Sequence, residues 1–191
     1  MSDIRKMMRA GDGLLLVDVQ NDFCPGGALP ITDGDQVVPV LNRWLAAATA
    51  AGIPVYASRD FHPAGHPSFA PQGGPWPIHC LQDSPGAAFH AGLELPAATV
   101  VVTKGTRFDQ DQNSAFDQTG FEQQLRRDGV RRLWVGGLAL DVCVLATVLD
   151  ARRAGFAVGL IRAGCRPVTA AGGEEALARM VAAGAEVIAA D

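Results

Sequence analysis

Short apolar runs rich in β-branched residues recur along the chain, at residues 14–19, 53–58, 99–103, 132–136, 156–161 and 185–189. Each is short for a helix, and its continuous apolar character suits a strand buried on both faces of a parallel sheet. Between most of them the apolar residues recur at spacings of three and four, at 35–51, 114–128, 142–154 and 174–183, which predicts amphipathic helices. Several of these segments stop at a glycine, namely Gly52, Gly129, Gly155 and Gly184, as a C-terminal cap requires. Strand and helix alternate, so the pattern predicts an α/β fold: an open six-stranded parallel sheet with helices on both faces, in three layers. The order of the strands is not encoded in this pattern.

One interval breaks the rhythm. Residues 59–98 hold seven prolines and all four histidines, with little helical periodicity. Loops of this length inside a compact domain are usually functional. In open parallel sheets ligands bind beyond the carboxyl ends of the strands, and this loop leaves from such an end.

Length and composition narrow the picture further. A chain of 191 residues with 48% hydrophobic content suffices for a single domain over 1–191, with its core at about 13–190. The formal net charge of -4, without a block of basic residues, offers no footprint for nucleic acid or an anionic membrane. The first apolar run, residues 14–17, is interrupted by Asp18 and is too short for a signal sequence, so a cytoplasmic location is expected. Cys24, Cys80, Cys143 and Cys165 form no CxxC pair and are expected as free thiols.

Three residues stand where chemistry can be assembled. Asp18, inside LLLVDVQ, lies near the carboxyl end of the first strand, where an unpaired carboxylate is costly. Lys104 follows TVVVT at the end of the third strand and could supply the countercharge. Cys143 follows a strand that ends in Gly136 and Gly137, in the first turn of a predicted helix, where the helix dipole and a nearby lysine would bias it toward thiolate. Taken singly, each has a plain alternative: a turn cap, a solvated lysine, a packed thiol. Together they supply a nucleophile, a cation and a proton shuttle, the parts of nucleophilic acyl transfer, with the turn before Cys143 offering N–H groups for an oxyanion hole.

A second cluster comprises Asp60, His62, His66 and His79, in RDFHPAGHPSFAPQGGPWPIHC. Asp60 and His62 are two apart at the end of an extended strand and point to one side, and a carboxylate with imidazoles suits zinc, manganese or iron. His90 lies outside this cluster and reads as an ordinary surface histidine.

The segments VDVQNDFCPGG, SRDFHPAGH, WPIHC, VVTKGT and GGLALDVCVLAT, in this order, resemble the nicotinamidases of the isochorismatase-like cysteine hydrolase family. The resemblance runs from Leu14 to about Ala189. It implies hydrolysis of nicotinamide to nicotinate and ammonia through a cysteine thioester, with a triad of Asp18, Lys104 and Cys143. It also implies one divalent metal ion, with zinc the expected ion and manganese or iron the alternatives. Asp60, His62 and His79 would hold that ion, and His66 matches a further histidine that ligates in some members. The oxyanion hole would come from the N–H groups of Ala139 and Cys143, with a cis peptide between Leu138 and Ala139. Phe23 and Trp76 match the aromatic residues that sandwich the substrate ring. Asn113 stands where a tyrosine is usual, which makes one side of the pocket more polar. The expected partner is a small carboxamide, and a homo-oligomer is left open. Two other readings are a related cysteine amidohydrolase acting on a carbamoyl or ureido compound, and a non-catalytic metal-binding or redox-sensing protein on the same fold.

Overall fold

The computed structural model describes residues 4–189. Six strands form one sheet: β1 (Asp12–Val17), β2 (Val55–Asp60), β3 (Val100–Lys104), β4 (Arg132–Leu138), β5 (Ala157–Arg166) and β6 (Glu186–Ile188). Every pairing is parallel, as the continuous apolar runs predict, and the order is β3-β2-β1-β4-β5-β6. The chain thus builds outward from β1 in one direction and from β4 in the other. The reversal between β1 and β4 opens a crevice beyond their carboxyl ends, the place where such sheets bind ligands.

β1 is buried along its whole length, and its side chains alternate between two cores. Leu14 and Leu16 pack with α1 (Ile4–Met7) and α2 (Val37–Ala51) on one face. Leu15 and Val17 pack with α3 (Phe121–Arg127), α4 (Leu145–Arg153) and α5 (Ala170–Ala182) on the other. Helices therefore cover both faces, as expected. In α2, Leu41, Trp44 and Leu45 are buried against the sheet, each contributing about 1.5–3 kcal/mol. Gly52, Gly129, Gly155 and Gly184 all adopt the left-handed conformation that closes a helix.

The differences from expectation are local. The helix expected at 114–128 is confined to Phe121–Arg127, because Gly120 at φ 77° breaks it and Thr119 Oγ1 donates to Ala115 O at 2.5 Å. The helix expected from 174 begins at Ala170, where Thr169 Oγ1 caps it by accepting the Gly172 N–H at 3.0 Å. β5 continues past residue 161 because a register shift between Val135 and Gly137 of β4 lets it pair on to Arg166. Among the described residues no helix is long and apolar enough to cross a membrane.

Candidate active site

The carboxyl ends of β1, β2 and β3 bring Asp18, Asp60 and Lys104 together. Lys104 is fully buried, and its ammonium has three donors to place. Nζ lies 2.7 Å from Asp18 Oδ2, 2.6 Å from Asp60 Oδ1 and 3.4 Å from Cys143 Sγ. Asp18, also fully buried, accepts a hydrogen bond from Ser58 Oγ on its other oxygen, Oδ1, at 2.6 Å. Burial alone would lower the lysine, but the two carboxylates outweigh it and hold the ammonium charged. Burial opposes ionisation of Asp60 as well, yet Lys104 and His62 keep its carboxyl below the ordinary range. For Asp18 burial prevails over Lys104 and raises the carboxyl, the shift a proton-accepting group needs.

Cys143 sits in a π-helical turn, Leu140–Val144, that precedes α4. The Ala139 carbonyl accepts from the Val142 and Val144 N–H groups at 3.2 and 3.1 Å, which curls the chain around the thiol. The peptide between Leu138 and Ala139 is cis, as the resemblance implies. Gly137, at φ 138°, passes so close to β1 that an added Cβ would meet Val17 O at 2.0 Å. The expected bias of Cys143 toward thiolate is not met: burial raises the thiol well above its ordinary value, and Asp18 and Asp60 add to this against Lys104. Cys143 rests as a thiol and needs a base. An oxygen of Asp18, an oxygen of Asp60 and the sulfur lie within 4.8 Å of one another.

The histidine loop folds back on the same centre. His62 N–H donates to Cys80 O at 2.9 Å, and His62 O accepts from Gln82 N–H at 2.9 Å, so the two ends of the loop pair. The Nδ1 of His62 lies 2.8 Å from Gly105 O, and the Nδ1 of His79 lies 2.8 Å from Pro77 O. A carbonyl only accepts, so each Nδ1 bears the proton and each Nε2 keeps its lone pair. Burial lowers the His62 ring and keeps it neutral. His62 Nε2 is 3.8 Å from Asp60 Oδ2, and one ligand atom each from Asp60, His62 and His79 fall within 4.8 Å of one another. This donor set, an ionised carboxylate with two imidazoles held in the ligating tautomer, fits a divalent ion. Gly105 is required here, since at φ 68° its Cβ would meet His62 Cε1 at 2.5 Å.

A cleft joins the two centres, and Phe23, Trp76, Asn113, Ala139, His79 and Cys143 line it. The cysteine thiol donates weakly to Asn113 Oδ1 at 3.9 Å. All the residues singled out in the sequence thus meet at one site except His66, which lies one step outward. Its ring stacks on His62 at 4.2 Å between centroids. His90 is remote from the cleft and accepts a local N–H from Gly92 at 3.1 Å.

Three supporting residues escaped the sequence reading. Gln20 takes both polar groups of Asp60's backbone, accepting its N–H at 2.8 Å and donating to its carbonyl at 2.7 Å. Asp22 accepts the Cys80 N–H at 2.7 Å and so fixes the loop beside His79. Ser58 holds Asp18. Their signal was present as polar residues inside or beside apolar runs, in VDVQND and VYASRD, where a buried polar group must find a partner.

Fold and centre together define a class: a doubly wound α/β protein whose switch point holds a cysteine, a lysine and two carboxylates in contact, beside a metal-competent histidine loop. The family model for the isochorismatase domain matches residues 12–191, and the chain belongs to that family. It is 43% identical to the nicotinamidase of Escherichia coli over 176 residues, covering 81% of this chain and 83% of that one. The structure of a pyrazinamidase of Pyrococcus horikoshii in complex with zinc superposes with a TM-score of 0.91 at 39% identity, covering 93% and 98% of the two chains. A protein of L. infantum in complex with nicotinate gives 0.86 at 36% identity, over 93% and 91%.

Proposed function

We propose that this chain hydrolyses nicotinamide to nicotinate and ammonia in the cytoplasm, through a thioester on Cys143, with one divalent ion, zinc, held by Asp60, His62 and His79. The observation that carries the reading is the Lys104 ammonium, fully buried and in contact with Asp18, Asp60 and Cys143, the last two of which line an aromatic-walled cleft. Similarity to nicotinamidases and to a nicotinate complex supports the choice of substrate.

Asp18 takes the thiol proton as Cys143 Sγ attacks the carboxamide carbon, and Lys104 balances the charge that moves between them. The N–H groups of Ala139 and Cys143 receive the oxyanion. Asp18 returns its proton to the leaving nitrogen, and ammonia departs as the C–N bond breaks. Water then attacks the thioester with Asp18 again as base, which frees nicotinate and restores the thiol. Phe23 and Trp76 hold the ring between them, and Asn113 offers a polar edge. The bound ion supplies a Lewis-acid anchor for the ring nitrogen.

Ammonia release from nicotinamide by the wild type and by Cys143→Ala tests the reading. Loss of at least about 10⁴-fold is expected from removing the nucleophile. Retention of more than trace release by Cys143→Ala overturns it.

A further inference from the structure

His66 carries the opposite hydrogen-bond pattern from His62 and His79. Its Nδ1 lies 2.7 Å from Ser68 Oγ and also receives the Ser68 backbone N–H at 3.3 Å. A backbone N–H only donates, so Nδ1 is the acceptor and a neutral ring bears its proton on Nε2. That Nε2 is buried and has no hydrogen-bond partner among the described residues, a costly state for a donor. Asp111 stands beside it. One of its carboxylate oxygens and one ring nitrogen each of His62 and His66 lie within 4.8 Å of one another, and Asp111 lines the same cleft as the metal-competent residues.

We infer that His66 is a hydrogen-bond donor beside the metal centre and not a ligand of it, and that Asp111, through one bridging water, is its acceptor. One ring nitrogen of His66 lies within 4.8 Å of an Asp111 carboxylate oxygen, a separation that a single water spans. The pair positions the centre because the His66 ring stacks on His62 at 4.2 Å with only 31° between the planes, so that fixing His66 fixes His62. The set of His62, His66 and Asp111 does not hold a second ion beside the first. His62 has its Nδ1 committed to Gly105 O, which leaves one nitrogen for one ion. Asp111 and His66 are positioning residues, and the inference rests on the assignment of the ion to Asp60, His62 and His79.

The test uses the full chain loaded with zinc and needs no substrate. X-ray absorption at the zinc edge is expected to count two imidazoles in the wild type and two in His66→Gln. In chelator competition, Asp111→Asn is expected to weaken zinc binding about 10-fold or more, within the range for partners of metal ligands. Asp111→Glu should restore most of it, and the double variant with His66→Gln should bind no worse than His66→Gln alone, because the two act as one unit. Three imidazoles in the wild type, or unchanged zinc affinity in Asp111→Asn, overturns the inference. Wild-type protein that binds no zinc overturns instead the metal reading beneath it, whatever the result with nicotinamide.

Discussion

The two halves of the site are built by different means. The cysteine–lysine half stands on strand ends: Asp18 follows β1, Lys104 closes β3, and Cys143 follows β4. Its geometry is inherited from the sheet, where Asp60 and Lys104 are register partners on neighbouring strands. The histidine half stands on a loop with only short turns and isolated bridges, and it is held by polar groups reaching in from elsewhere, such as the Asp22 carboxylate to Cys80 and the Gly105 backbone carbonyl to His62. The sheet-built half tolerates burial of four ionisable groups because every charge meets a partner. The loop-built half relies on carbonyls to fix which nitrogen of each imidazole is free. Asp60 belongs to both, 2.6 Å from Lys104 and 3.8 Å from His62.

Lys104→Met should break the sheet-built half most completely. It leaves Asp18 and Asp60 buried without their shared cation, a change that costs about 3–5 kcal/mol when one partner of a buried pair is removed. At this chain length a loss of that size lowers Tm by roughly 10 °C. Thermal unfolding measures it, and ammonia release should vanish in the same variant. A Tm within about 2 °C of wild type would show that the cluster is not paired as described.

Asp60→Asn should separate a shared carboxylate from a dedicated ligand. A group that only held the ion would raise KM and leave kcat unchanged once substrate is saturating. Because Asp60 also contacts Lys104, kcat is expected to fall by about 10²-fold together with a loss of zinc affinity. Steady-state kinetics and metal content read the two effects, and a change confined to KM would return Asp60 to the loop alone.

Gly105→Ala acts chiefly on the loop-built half, its Cβ coming closest to His62 and only then to Asp60 Oδ1, at 3.2 Å. Its Cβ would press on the His62 ring at 2.5 Å, from a backbone at φ 68° that disfavours any side chain. Zinc affinity is expected to drop about 10-fold to 100-fold by displacement of His62. Alkylation of Cys143 in the zinc-free protein should proceed at the wild-type rate. An altered rate there would mean that the two halves are coupled through β3 as well as through Asp60.

The unequal construction explains what the sequence disclosed. Asp18, Lys104 and Cys143 were legible because each is a polar residue at the carboxyl end of an apolar run, and in a parallel sheet all such ends lie on one side. The contact of Asp60 with Lys104 was not, because it depends on β2 and β3 being neighbours in register, and strand order leaves no trace in periodicity. The resting state of Cys143 was misread for a related reason. A helix start and a lysine argue for thiolate, but burial reverses the balance, and the carboxylates of Asp18 and Asp60, which arrive from β1 and β2, add to it. The short helix after Gly120 shows the local counterpart, where a periodic stretch yields to one left-handed residue.

Asn113→Tyr makes the smallest change and probes the seam between the halves. Asn113 lines the same cleft as Phe23 and Trp76 and accepts the Cys143 thiol at 3.9 Å, too long to hold the sulfur firmly. Its side chain is exposed, so the larger ring can enter without displacing the core. The added aromatic surface should favour a planar substrate, and a pocket change of this kind alters binding by about 1–3 kcal/mol at most. KM for nicotinamide is therefore expected to fall by less than about tenfold, with kcat unchanged, since neither Lys104 nor His62 is touched. If kcat falls instead, the 3.9 Å contact positions the nucleophile, and Asn113 belongs with the strand-end residues and not with the walls of the cleft.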